Sequence, residues 1–230
     1  MSSTLRGYDR HKSDYYVTPT WIIRELFDSL PELFEDMDGR MALDPCAGGG
    51  IVGGLSTEPG ALNETFTMPY PDVLAEYGWD NVLTLDVRAD SLADIKTDFL
   101  TWDNPDNLDF DLIITNPPFA IAEEITRKAL DLVDTESGKV IMLQRLNWLG
   151  SATRDDFFSE YPPTTIVMHS RRPSFGGTSS TDSVEYAHFI WDNSDQSGVT
   201  NFVRIRADNS RTKGLAYARA CERSVPCIGG

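Results

Sequence analysis

Apolar residues recur along the chain in two rhythms, one of helical period and one of strand type. After the Thr18-Pro19 start signal, TWIIRELFDSL places Trp21, Ile22, Leu26, Phe27 and Leu30 at helical spacing. Pro31 punctuates that helix, and PELFEDMD reads as a short further turn. MALDP (41–45) is a short apolar run of the kind that forms a buried strand, and it ends in the glycine loop AGGG. Residues 56–71, STEPGALNETFTMPYP, carry no clear pattern; DVLAEYG after them reads as helix. NVLTLDV (81–87) predicts a second strand around Val82, Leu83 and Leu85. LDFDLIITNPPF (108–119) contains a third, ending at Asn116, and AIAEEITRKALDLV (120–133) is an amphipathic helix. GKVIMLQRL (138–146), TTIVMHS (164–170), VEYAHFIWD (184–192) and NFVRIRA (201–207) bring the strands to seven.

Strands alternating with helices early, then a run of strands late, predict an α/β fold: a mostly parallel sheet with an antiparallel C-terminal hairpin. Ligands on such sheets bind at the carboxyl ends of strands. The 230 residues suit one domain, with residues 1–17 as an irregular basic arm, 56–71 as an insertion and 208–230 as a basic tail. No apolar run approaches the roughly 20 residues that span a bilayer. The polar start MSSTLRGYDRHKSDYY has no signal-peptide core, so the expected setting is the cytoplasm, without membrane contact. Cys46, Cys221 and Cys227 are too few for a disulfide framework, and the last two lack further ligands for zinc.

Two motifs fall at predicted strand ends. DPCAGGG (44–50) offers an acid that can take a cationic group and glycines that let backbone approach a ligand closely. It lacks the Lys-Ser/Thr pair of a phosphate loop. Asp86 ends the next strand, where a carboxylate accepts both hydroxyls of a ribose. Asp98 and Phe99, in TDFL, could face an adenine amine and ring. Three acids in this order suggest a cofactor that contains adenosine. The second motif is NPPF: Pro117 and Pro118 remove two donors and stiffen a loop of free carbonyls, and Asn116 adds a side-chain acceptor. An exocyclic amine needs such acceptors as it becomes tetrahedral, and Phe119 gives a planar substrate a face to stack on.

In order and spacing, DPCAGGG, Asp86, TDFL and NPPF resemble motifs I to IV of the amino-methyltransferases that act on adenine in nucleic acids. YYVTPTWIIRELF resembles the motif preceding motif I in the DNA adenine methyltransferases, and RLNWLGS (145–151) and RRPSFGGTSSTDSVEYAHFIW (171–191) resemble short phage-type members, enzymes of viral origin acting in a host cell. The resemblance covers nearly the whole chain and implies a Rossmann-like, seven-stranded methyltransferase fold with S-adenosylmethionine as cofactor. It implies that Thr18 and Pro19 hold the methionyl end, that Asp44 takes its amino group, and that Pro45, Ala47, Gly48 and Gly50 shape the loop around it. Asp86 is then the ribose ligand, Asp98 and Phe99 the adenine contacts, and Asn116, Pro117, Pro118 and Phe119 the catalytic grip on the target base. The implied partner is double-stranded DNA. Two departures stand out: the stretch of about 35 residues between the glycine loop and Asp86, and the lack of a segment sized for separate target recognition, which implies short or relaxed specificity.

Charge complicates a DNA partner. The chain carries −16, with Asp over Glu at 24 to 12 and Arg over Lys at 15 to 5. Residues 13–138 hold 26 acidic and six basic residues, a net of −20, whereas 139–230 hold 11 basic and nine acidic. An Asp-rich, Lys-poor body is expected of a protein working in molar salt, where screening shortens to about 3 Å. Arg145, Arg154, Arg171, Arg172 and the tail residues Arg204, Arg206, Arg211, Lys213, Arg219 and Arg223 are the candidates for phosphate contact. A flipped adenine requires such anchoring, since extrusion costs a few kcal/mol.

Other chemistries compete. Cys46 suggests the thiol of carbon-5 cytosine methylation, but that thiol belongs in the later substrate loop, where Asn116 stands. His11, His169 and His188 are far apart in sequence and none pairs with an obvious nucleophile. The amine can attack the sulfonium directly, so neither a covalent intermediate nor a metal is called for. RNA adenine and a protein glutamine remain alternative substrates, although glutamine enzymes usually read NPPY and carry an extra N-terminal helical domain. A non-catalytic nucleic-acid-binding relative remains the alternative from another class.

Overall fold

The computed structural model describes residues 17–34, 39–53, 64–175 and 183–206. Residues 1–16 of the expected arm, 56–63 of the expected insertion and the whole expected tail 208–230, with His11, Cys221, Cys227, Arg211, Lys213, Arg219 and Arg223, lie outside them. Helix α1 (Thr20–Ser29) starts directly after Pro19 and is followed by a 3-10 turn, Pro31–Phe34, and strand β1 (Met41–Asp44). Strands β2 (Gly50–Gly53) and β3 (Glu64–Thr67) pair with each other as an antiparallel ribbon. Helix α2 (Pro69–Glu76), β4 (Asn81–Asp86), β5 (Ile95–Lys96), β6 (Leu112–Thr115) and α3 (Ala122–Leu132) follow. Then come β7 (Lys139–Arg145), α4 (Asp155–Glu160), β8 (Thr165–His169), β9 (Tyr186–Asp192) and β10 (Asn201–Ile205).

The main sheet has the order β10-β8-β9-β7-β6-β1-β4-β5. Every pairing in it is parallel except those of β9, which runs antiparallel between β7 and β8. All seven expected strands are present. The eighth, β5, has two residues, too few to show any alternation. The expected hairpin is β8–β9, with β9 folded back inside the sheet and β10 alongside β8 as the edge. Part of the expected insertion is ordered structure as well: Glu64–Thr67 is β3, and α2 begins at Pro69.

Both faces of the sheet are covered, which explains why its strands read as near-continuous apolar runs. Ile22, Ile23, Leu26 and Phe27 of α1 and Val73 and Leu74 of α2 pack on one face, against Leu112, Ile114, Ile141 and Leu143. Trp21 and Leu30 of the expected stripe are only partly buried, and Ile23 takes their place. Ile125 and Ala129 of α3, with Trp148 and Phe157, cover the other face against Ile113, Val140 and Met142. No helix among the described residues is long and apolar enough to cross a membrane.

Candidate functional site

From β1 the chain winds outward through β4 and β5, then returns to the other side of β1 with β6 and β7. The reversal lies between β1 and β6, and a doubly wound sheet opens a crevice at the carboxyl ends of its strands there. Asp44 ends β1, Asp86 ends β4, and Asn116 follows β6 directly. A pocket occupies that crevice, lined among others by Thr18, Pro45, Cys46, Ala47, Gly48, Asp86, Asp98, Phe99 and the whole of Asn116-Pro117-Pro118-Phe119. Most residues singled out in the sequence thus meet at one place. Pro19, Asp44 and Gly50 do not line it: Pro19 is the residue before α1, Asp44 is buried at the end of β1, and Gly50 belongs to β2.

The glycine loop is bent tightly around the Asp86 carboxylate. Gly48 and Gly49 have φ of 62° and 76°, which glycine adopts without strain. The Gly48 N–H donates to Asp86 Oδ2 at 2.8 Å, and the Ala47 N–H to the Leu85 carbonyl at 2.9 Å. Asp86 Oδ1 accepts from the Arg88 N–H at 2.7 Å and from Arg88 Nε at 3.3 Å, while Arg88 also donates to the Gly49 carbonyl at 3.0 Å. A carboxylate offers about four acceptor positions. Three of these are taken, so two ribose hydroxyls fit only if Arg88 Nε yields one. Sequence reading passed over Arg88, although its position two residues after a strand-end acid was a usable signal.

Asp44 is buried behind Pro45 and Cys46 instead of lining the pocket, 1% exposed. Its Oδ1 accepts from the Cys46 N–H at 3.2 Å, and its Oδ2 has no hydrogen-bond partner. Burial pushes its pKa up to about 7, reinforced by the charge of Asp86. The nearby Thr115 hydroxyl and the Cys46 N–H favour the carboxylate, but Thr115 closes no hydrogen bond to it. A desolvated carboxyl with an unsatisfied oxygen suits a cationic ligand group. Burial also raises the Cys46 thiol well above its usual range, which leaves it a poor nucleophile.

Asn116 is held from the opposite side. Its Nδ2 donates to Thr18 Oγ1 at 3.0 Å, and its Oδ1 is buried without a partner. Thr18, expected at the methionyl end of a cofactor, is therefore bonded to Asn116, a contact 98 residues apart that no local pattern announces. Phe119 follows in a short 3-10 turn, its ring 4.7 Å from the Arg145 guanidinium and 6.0 Å from Tyr186. Arg145 thus packs against a pocket residue without lining the pocket itself. Phe99 is buried with Lys128 Nζ 5.3 Å from its ring centre, and Asp98 is exposed, with Oδ1 accepting from the Leu100 N–H at 2.9 Å.

Other expected cations sit at the same edge of the sheet. Arg171 stacks 4.4 Å above Trp21, just beyond the end of β8, and Arg172 pairs with Glu185 at 2.7 Å. Arg204 and Arg206 are exposed on and after β10, which runs parallel to β8. Arg154 lies 5.8 Å from the Trp148 ring. His169 and His188, distant in sequence, are hydrogen-bonded to each other at 2.8 Å.

No family model matches the chain, and neither does any curated protein sequence. Solved structures do. A provisionally assigned class I S-adenosylmethionine-dependent methyltransferase from Listeria monocytogenes superposes with a TM-score of 0.54 at 13% identity, over 82% of this chain and 65% of that one. A modification subunit of a provisionally assigned type I restriction enzyme from Vibrio vulnificus gives 0.54 at 16% identity, over 86% and 49%. A provisionally assigned RNA methyltransferase from Pyrococcus horikoshii gives 0.55 at 17% identity, over 83% and 93%. The chain therefore spans about two thirds and about half the length of the first two, and nearly all of the third. At these identities the likeness is one of architecture: the chain has the fold of the class I S-adenosylmethionine-dependent methyltransferases.

Proposed function

We propose that this chain transfers a methyl group from S-adenosylmethionine to the exocyclic amine of adenine in DNA. The observation that carries the proposal is the buried, unpartnered Asn116 Oδ1, fixed by Thr18 at the mouth of a proline-stiffened loop. When bound, the cofactor supplies an electrophilic methyl group on a sulfonium. Asp44 would hold its ammonium group through Oδ2, Asp86 its ribose, and Asp98 with Phe99 its adenine. Pro45, Ala47 and Gly48 form the loop wall beside it. Asn116 Oδ1 accepts an N–H of the target amine and, with the Pro117 carbonyl, stabilises positive charge as it grows on nitrogen. Phe119 stacks on the base from the side opposite Arg145.

DNA is favoured as the substrate by the arginines beyond the ends of β7, β8 and β10, on the edge where the pocket opens. The modification subunit among the structural neighbours is in keeping with that substrate. The Asp-rich, Lys-poor composition supports work in molar salt. Incubation with labelled cofactor and duplex DNA, RNA or a protein extract tests the proposal. The expected product is N6-methyladenine in DNA. Label in RNA or in a glutamine amide would move the substrate, and cofactor binding without any transfer would make the chain a binding module.

A further inference from the structure

A line of four hydrogen-bonded side chains runs from the pocket wall across the sheet to the surface. Tyr70, on α2, lines the pocket together with Asn116, and its hydroxyl lies 3.3 Å from His188 Nε2. His188 Nδ1 is 2.8 Å from His169 Nε2, and His169 Nδ1 is 3.0 Å from Glu25 Oε2. Tyr70 is 2% exposed and both histidines 0%, whereas the Glu25 side chain is 27% exposed on α1. The register makes this possible: Val167 faces His188 and His169 faces Tyr186, so both imidazoles share one face of β8 and β9. Around them stand Trp21, edge-on to His169 at 6.4 Å, and Arg171 above Trp21. The buried Asp44 also acts electrostatically on Tyr70.

We infer that Tyr70, His188, His169 and Glu25 form a proton relay that carries away the proton released when an amine is methylated. The inference rests on the methyl-transfer reading above. A neutral amine that gains a methyl group from a sulfonium leaves behind a neutral thioether, and the charge departs as one proton. One arrangement of hydrogens satisfies every contact with both rings neutral. Tyr70 O–H donates to His188 Nε2, His188 Nδ1–H to His169 Nε2, and His169 Nδ1–H to Glu25 Oε2. All donors then point outward. The amine N–H passes to the Tyr70 oxygen, each hydrogen moves one hop along, and Glu25 ends as a carboxylic acid that loses its proton to water. Burial keeps His188 neutral by pushing its pKa well below the usual range, with His169 adding to the effect. Afterwards both rings hold the other tautomer and must exchange back, so the first turnover is the informative one. A purely structural set of satisfied histidines would share the geometry but not the chemistry.

The test uses the full chain. In Glu25→Gln the amide oxygen still accepts from His169 Nδ1 but cannot take a proton. Cofactor affinity and fold should be unchanged, and single-turnover methyl transfer should fall roughly 10-fold, rising again with the concentration of a small buffer base. Tyr70→Phe should show the same buffer dependence. Independently of activity, 15N spectra of the imidazoles in the ligand-free protein should show His188 neutral with its proton on Nδ1. A proton on His188 Nε2, or a Glu25→Gln variant that matches the parent at every buffer concentration, overturns the relay and leaves the methyltransferase reading standing. If the parent itself methylates no amine, both readings fall together.

Discussion

Asn116 and Thr18 were each legible as candidate site residues, but the bond between them was not, because it joins the start of α1 to the end of β6. From that bond we propose that Thr18, which also lines the pocket, acts by positioning Asn116 rather than by ligand contact. Asn116→Ala should lower turnover roughly 100-fold with cofactor affinity largely kept, since it removes an acceptor used most in the transition state. Thr18→Val keeps shape and burial while freeing the Asn116 amide to rotate. It should lower kcat about 10-fold with little change in cofactor Kd. A weakened Kd with normal kcat would return Thr18 to the methionyl end. Asp44 gives a pH signature that sequence alone could not supply, because it depends on burial. Its pKa is about 7 in the folded protein and roughly 3.9 when unfolded. Such a group favours folding below the unfolded value and loses that contribution as pH rises through the folded one. The free protein should therefore lose up to ~4 kcal/mol of stability between pH ~4 and ~7, three units at ~1.4 kcal/mol each, relative to Asp44→Asn in parallel urea titrations. Cofactor affinity should rise across the same interval, as the carboxylate becomes available to a cation.

The loop between β1 and β2 shows how a local pattern can be right about place and incomplete about cause. Glycine after a strand pointed to close backbone approach, and the structure supplies the neighbours. A Cβ on Gly49 would stand 2.8 Å from Met68 Cγ and 2.9 Å from Leu92 Cβ, at a φ of 76°. Gly39 has a similar φ of 74° but nothing within 4 Å. Both alanine variants should lose about 1–2 kcal/mol to the left-handed backbone. Gly49→Ala alone should also distort the wall and weaken cofactor binding, as thermal melts with and without cofactor would show. The long strands and α3 were readable because burial on both faces or on one stripe leaves a strong pattern. Strand β5 was not, having two residues; nor was β3, whose partner β2 is built partly of glycine. The pairing of His169 with His188 was hidden for another reason. It follows from the register of β8 on β9, which tertiary packing sets and neither segment encodes alone.

Acid and base are unevenly divided across the molecule, and salt should act on each part differently. The net −20 of residues 13–138 repels both itself and a nucleic acid in dilute buffer. Methyl transfer to a fixed duplex should therefore rise from dilute buffer toward molar KCl as screening takes hold, then fall once arginine–phosphate contacts fail. A steady decline from about 50 mM upward, with circular dichroism unchanged, would remove the halophilic reading and leave the chemistry intact. Strand β10 carries a separate consequence of this charge distribution. As the edge of the sheet among the described residues, it presents backbone donors and acceptors on its outer side, and Phe202 beside them is 57% exposed. Such an edge can template pairing with a second copy and so seed aggregation. Arg204 on it and Arg206 just past its end are exposed cations, and two edges brought together would bring those charges together too. In high salt that guard is screened, so Arg204→Ser with Arg206→Ser should form sedimentable aggregate at KCl concentrations where the parent stays in solution.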